Sequence, residues 1–466
     1  MNGKTGLRPQ GRFKCKDAKP RWALLSLESR IMMPAALSTD RSNRAPDLEV
    51  GPKTLPDILT EVITFLVVVF LSISTFEGAF RFYAAKAGFV WLVYLKDVSL
   101  IGALTLGCVN TFLTDLRNLS FWTVLTFLTL GTIIGCLILP DIRQPLFAAK
   151  TWLPLICGTS VASSLDPRSI KFRRACWLLW AMTVGGIFLT ARWHAPWVGY
   201  VYEVGGVAIE GSREWSIGDV DRVAGFSRAS FDAALQCLFF ASVIISSVRS
   251  YLFCLIIWAL SGVAIYVTTS RSALVALFAA IGLHFLVRTF RSTQWLSKIA
   301  VATLAVVVLA LPFAAALYYQ NKASLYDASS VASTSSFQER ATKTWPDGFA
   351  LTKRGGSWIW GRGLGGIGVA QQVFEPAIFN PGDNFFVYVW GAFGAMGFIF
   401  YALIPLQAWR AMISFNESRQ TGIIIAGTFL AVGLTLNAIE AATASLFLGL
   451  ALVWLSDRRT VDEPAS

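Results

Sequence analysis

Asp383-Asn384 followed by FFVYVWGAFGAMGFIFYALIPL, residues 385–406, is the stretch on which the reading of this chain turns. Twenty-two consecutive residues without a charge can cross a hydrocarbon core roughly 30 Å thick as a helix. A carboxylate stands at the mouth of that helix. Upstream runs the longest polar segment between apolar runs, Tyr319 to Asp383, with a glycine-rich patch, GRGLGGIG, at residues 361–368. Ionisable groups at membrane depth are costly to keep, so Asp383 is a candidate catalytic position.

The same apolar pattern recurs along the chain. Of 466 residues, 55% are hydrophobic and 15% charged, which excludes an ordinary soluble domain. Runs near 58–75, 95–113, 119–138, 148–163, 173–191, 229–247, 249–267, 271–289, 297–317, 384–406, 420–437 and 440–456 predict an all-α integral membrane protein with about twelve transmembrane helices. No strands are expected, because the ten-residue alternation of membrane barrels is missing. The seven cysteines form no CxxC pair and read as small packing residues. With two histidines, a histidine-rich metal site is not expected.

Residues 1–55 are polar and basic and hold no apolar run of signal-peptide kind, so they read as a disordered cytoplasmic tail. The membrane domain spans 56–456, and a second cytoplasmic tail covers 457–466. Charge then sets the orientation. Segment 164–174 carries Arg168, Lys171, Arg173 and Arg174 against Asp166, and the 288–298 turn carries Arg288, Arg291 and Lys298. These loops are expected inside with both termini. The long loops 192–228 and 319–383 lack a basic excess and are expected outside, in the periplasm; the second joins helices nine and ten. The net charge of +12 is topological rather than a nucleic-acid footprint.

Three polar places share the outer face. They are Asp221-Arg222-Val-Ala-Gly225 before the sixth helix, Ser270-Arg271-Ser272 in a tight turn before the eighth, and Gly382-Asp383-Asn384 before the tenth. Each has a plain structural alternative. Arg271 can snorkel to headgroups as an anchor, Arg222 can pair with Asp219 or Asp221, and Asp383 can cap the helix that follows. GRGLGG matches GxGxxG formally, but it follows no βαβ unit and is not read as a dinucleotide site. Its glycines, Gly361 and Gly363 among them, let backbone pass close to a bulky ligand or to helix ends. Arg340 and Trp345 are candidates for the same groove.

Arg222-x-x-Gly225 before a helix, the helix start Ser270-Arg271-Ser272-Ala273-Leu274, and the late loop from Trp360 to Phe398 together resemble the O-antigen ligase and O-antigen/exopolysaccharide polymerase superfamily. The resemblance covers roughly residues 55–456. It implies a membrane glycosyltransferase that takes a glycan from an undecaprenyl-diphosphate carrier on the periplasmic face of the bacterial inner membrane. The acceptor is a sugar hydroxyl on lipid A–core in ligases, or on another carrier-linked repeat in polymerases. Ligases hold His-Asn where this chain has Asp383-Asn384, which favours the polymerase reading.

Under that reading Arg222 and Arg271, with Arg340 beside them, would stabilise the departing diphosphate, since guanidinium groups match phosphate oxygens. Asp383 would take the acceptor proton. Asn384, Ser270, Gly361 and Gly363 complete the expected substrate contacts. No cofactor or metal is required. The expected partners are the carrier-linked oligosaccharide, membrane lipids, a chain-length regulator and export machinery. A flippase of lipid-linked sugars is the rival class, although no internal repeat of transporter kind is visible.

Overall fold

The computed structural model of the protein describes residues 54–456 other than 115, 205–206, 215, 218–219, 290–293, 321–334 and 414–415. Residues 1–53 of the basic tail, the 457–466 tail, Arg291 and Asp219 lie outside the described residues.

Every expected apolar run is helical. Helices α1 (Leu55–Thr75), α2 (Glu77–Lys86), α3 (Leu95–Thr114), α4 (Leu119–Ile138), α5 (Arg143–Val161) and α6 (Ile170–Arg192) form the first half of the chain. After the 192–228 loop come α7 (Ser230–Ser247), α8 (Tyr251–Val267), α9 (Arg271–Thr289) and α10 (Gln294–Gln320). Among the described residues, seven helical spans are long and apolar enough to cross a membrane. The short helix α2 was not anticipated. It is polar and follows α1 after a break at Phe76, so no apolar run marks it.

The long loop contains structure of its own. A short helix α11 (Ser335–Glu339) passes through a π-helical turn at Arg340–Thr344 into α12 (Trp345–Ala350), and α13 (Val369–Phe374) follows the glycine-rich patch. The apolar run after Asn384 is two helices, α14 (Phe385–Phe393) and α15 (Met396–Ala411), rather than the single one expected. Gly394 makes the break. Its φ is +57°, and a Cβ there would lie 2.5 Å from the carbonyl oxygen of Trp358. Helices α16 (Glu417–Val432) and α17 (Ala442–Ser456) complete the bundle.

The expectation of no strands is also corrected. Within the 192–228 loop, β1 (Val201–Val204) pairs antiparallel with β2 (Val207–Glu210), and β3 (Ser216–Ile217) with β4 (Val220–Asp221). These are small loop hairpins, too short to leave the alternation on which the sequence argument relied.

The centre of the bundle is where α5 packs on α17. The two helices meet at Gly158 and Gly449, whose Cα atoms come so close that a Cβ on Gly449 would lie 2.9 Å from Gly158 Cα. Small residues permit this approach, and the contact relies on packing rather than on expulsion of water. Ser272 Oγ and Thr435 Oγ1 are 2.7 Å apart, so the α8–α9 turn meets the α16–α17 turn at one end of the bundle. The start of α14 reaches that end too, through the bond from Asn384 to Leu434.

Candidate functional site

Pro312 in α10 has no N–H, so the carbonyl of Val308 four residues earlier has no intrahelical donor. A buried carbonyl left bare in a membrane helix is costly. The Asn384 side chain supplies the missing donor, with Nδ2 3.1 Å from the Val308 oxygen. The same nitrogen donates to the Leu434 carbonyl at 3.0 Å. Its Oδ1 accepts from the backbone N–H groups of Phe386 (2.9 Å) and Val387 (3.1 Å).

Asn384 is therefore the cap of α14, fully buried and engaged on both its amide atoms. The plain alternative for Asp383 is set aside, since Asn384 and not Asp383 caps α14. The carboxylate is thereby left for other work.

Asp383 is partly exposed. Its Oδ2 accepts from Nε of Arg340 at 2.9 Å, and its backbone carbonyl accepts from the Trp345 indole at 3.1 Å. Arg340 comes from the π-helical turn, and such turns gather at functional sites because the widened backbone re-aims a side chain. Asn380 fixes the approach to Asp383 by donating to the Thr344 carbonyl and accepting from the Gly382 N–H at 2.9 Å.

The arginines converge. Burial pulls Arg222 below the ordinary guanidinium value, and Arg340 and Arg271 add to the effect by repulsion. Arg222 thus lies within electrostatic reach of Arg271 and of Arg340, the latter joined to Asp383. Arg271 is exposed and is the first residue of α9, where the helix dipole disfavours a cation. The turn that delivers it is strained. Thr269 has φ +57°, an outlier for a β-branched residue, and such strain collects at functional sites. Ser270, expected at the substrate, helps form this turn, its N–H lying 3.4 Å from Thr268 Oγ1.

The glycine-rich patch passes its backbone close against neighbouring helices. Gly361 runs against Ala392 and Gly363 against Gly135 of α4, where a Cβ would lie 2.1 Å from the Gly135 nitrogen. Arg362 in the same patch is buried and pairs with Glu375 at 2.9 Å. Gln144 donates to the Gly365 carbonyl and to Glu375, both at 2.8 Å. Of the two readings of these glycines, the structure shows the close approach to helices, Gly361 against α14 and Gly363 against α4.

Glu440, in the turn before α17, is the residue that sequence reasoning left without a role. It accepts from the Val369 N–H at 3.0 Å and 3.2 Å through its two oxygens. Burial pushes its carboxyl up to about 8, and the nearby Asp383 acts in the same direction. Two carboxyl groups in one neighbourhood therefore differ in character. One is ion-paired, and the other is pushed above the usual carboxylate range. The signal available in the sequence was an acid at the head of an apolar helix. Among the described residues no group of three His, Cys, Asp or Glu side chains is gathered as metal ligands would be, and the charge of the site comes from guanidinium groups.

Residues 255–402 match the family model described as O-antigen ligase. Over that segment the match supports a relationship to the O-antigen ligase and polymerase superfamily. The matched segment contains Arg271, Arg340, Asp383 and Asn384, whereas Arg222 and Glu440 fall outside it. Comparison with curated proteins and with solved structures found no match. Members of the superfamily are glycosyltransferase-type enzymes of membranes, acting as ligases or polymerases.

Proposed function

We propose that the protein polymerises glycan repeat units, transferring a glycan from an undecaprenyl-diphosphate donor to a sugar hydroxyl of a second carrier-linked repeat. The observation that carries this reading is the Arg340–Asp383 ion pair, with Arg222 within electrostatic reach of both Arg340 and Arg271. Guanidinium groups match phosphate oxygens in charge and geometry, so a diphosphate is the anion that this set of arginines suits.

In the proposed step the acceptor oxygen attacks the anomeric carbon, and the bond from that carbon to the diphosphate oxygen breaks. The diphosphate leaves with the bonding electrons, and the arginines stabilise its growing charge. The acceptor proton passes to the Asp383 carboxylate. Arg340 links the two events. As the diphosphate competes for its guanidinium, the hold on Asp383 loosens, and the carboxylate becomes better able to take a proton. Donor binding thus readies the base.

A cavity of about 680 Å³ lined by Phe313, Phe349, Phe386, Trp358 and Trp390 supports a lipid-linked donor. Phe386 is three residues from Asp383, and Phe349 shares α12 with Trp345, so an apolar chain lying there starts beside the site. We assign the reaction to the periplasmic face of the bacterial inner membrane, on the loop charges given above. The name of the matched family favours a second reading, ligation to lipid A–core. It uses the same donor site and a different acceptor.

The test is reconstitution of the full chain in vesicles with carrier-linked repeat units, alone or with lipid A–core. Longer carrier-linked products are expected in the first mixture. Products only in the second would establish the ligase reading, and translocation of the repeat unit without a new glycosidic bond would reject both.

A further inference from the structure

The loop before α7 contributes a second arginine to a different cluster. Arg228 lies six residues beyond Arg222, with Gly225 turning the chain between them at φ +63°. A stretch of this length spans at most about 21 Å. Arg222 lies within electrostatic reach of Arg340 and Arg271, whereas Arg228, whose carbonyl accepts from the Arg213 N–H at 2.8 Å, lies within reach of Arg81, Arg213, Glu77 and Asp232. Burial pulls Arg228 below the ordinary guanidinium value, and Arg81 is the largest repulsive neighbour.

Glu77, at the start of α2, is the centre of this cluster. It pairs with Arg81 one turn along the helix and with Lys96 of α3 at 2.6 Å. Burial works to raise its carboxyl, but Lys96 and Arg81, and then Arg228, hold it down at about 2. Four cations (Arg81, Lys96, Arg213 and Arg228) thus surround two carboxyl groups, Glu77 and Asp232. Among these six groups the cations outnumber the carboxyl groups by two. Nε of Arg81 and Nε of Arg228 are both buried, and neither has a hydrogen-bond partner among the described residues. Buried donors on charged groups are expensive to leave unmet, so the arrangement calls for an acceptor that carries negative charge.

We infer that Arg81, Lys96, Arg213 and Arg228 form a second anion site that binds a phosphate group of the lipid-linked acceptor, distinct from the diphosphate site at Arg222, Arg271 and Arg340. The acceptor assignment rests on the proposed glycan transfer, whereas the existence of a second anion site does not. A transfer between two membrane-anchored glycans needs both anchors held at one depth. One loop contributing an arginine to each cluster provides that spacing. Phosphate is the shared chemistry of a carrier diphosphate and of a phosphorylated lipid glycan.

Titration of the detergent-solubilised full chain with inorganic diphosphate is expected to show two sites. Arg213→Gln, which leaves the backbone bond from Arg213 to the Arg228 carbonyl in place, should abolish one of them and Arg222→Gln the other. Arg228→Gln should match Arg213→Gln. A single site, lost in Arg222→Gln and unchanged in Arg213→Gln, overturns the inference. If Arg222→Gln leaves both sites intact while Arg213→Gln removes one, the donor site fails and the second site stands. In the transfer assay Arg213→Gln should raise KM for the acceptor by about tenfold, the loss expected of one charge-assisted hydrogen bond. KM for the donor should not move. An unchanged acceptor KM, with phosphatidylglycerol displacing diphosphate from the site, would reject the acceptor assignment in favour of bulk phospholipid. Acceptor KM values that rise alike for a carrier diphosphate and for a phosphorylated lipid glycan support phosphate as the recognised group.

Discussion

Nε of Arg340 lies 2.9 Å from the carboxylate of Asp383, across a separation of 43 residues in the chain. The bond joins the base proposed for the acceptor to the cations proposed for the leaving group. Removing either partner should therefore damage both ends of the reaction. Asp383→Ala and Arg271→Ala should each lower polymer formation by about 100-fold or more at normal membrane levels of protein. Asp383→His should keep measurable activity and Asp383→Asn should not. An Asp383→Asn protein as active as the unaltered chain would remove the base role.

Asn384 meets four backbone groups, and its loss exposes all of them. Asn384→Ala should cost more than about 2 kcal/mol, from a missing cap and two bare carbonyls. The bond to Val308 exists because Pro312 cannot donate. Pro312→Ala should then recover part of the loss in the Asn384→Ala background, since an alanine N–H can serve the Val308 carbonyl. Thermal unfolding of the four proteins in detergent measures the coupling. If Pro312→Ala helps no more in that background than alone, the proposed pairing is wrong.

The carboxyl of Glu440 is shifted from an ordinary value of 4.5 to about 8 in the folded protein. Between those values the folded state binds more protons than the unfolded state, so stability should fall as the pH rises across that window. Glu440→Gln keeps a neutral side chain at all pH values and should flatten the fall. Melting temperatures from pH 5 to 8.5 for both proteins provide the comparison, and parallel slopes would count against the assignment.

Gly363 and Gly355 separate packing from backbone conformation. Both have positive φ, +78° and +86°. A Cβ on Gly363 would strike the Gly135 backbone, whereas one on Gly355 meets nothing within 4 Å. Gly355→Ala should cost about 1 kcal/mol, and Gly363→Ala should cost several times more or prevent folding. Equal yields and equal melting temperatures would show that the patch is not a packing contact.

Apolar run length made the helices legible, because each had to be long enough to cross a membrane. It missed α2, whose Glu77, Arg81 and Lys86 conceal a helix that is not a span. It also missed the break at Gly394, where the signal was a glycine in the middle of an uncharged run and the cause lies in Trp358, far off in the chain. Arg222, Arg271, Arg340 and Asp383 stood out as charges beside apolar helices. That Arg340 touches Asp383, and that Asn384 takes the cap, depends on how α10, α12 and α14 pack. No local pattern records that packing. Glu440 was visible as a charge at a helix head, but its character comes from burial, which the sequence does not display.

Pro312 and Asn384 work together as a depth gauge. The proline chooses which carbonyl of α10 is open, and the asparagine docks there, so the neighbouring Asp383 inherits its level in the membrane from a residue 71 positions earlier. Moving the proline by one helical turn would move the docking point by about 5.4 Å. That is more than a proton transfer tolerates. The level of the loop end that holds Asp383 is thus indexed to a defect in a separate helix.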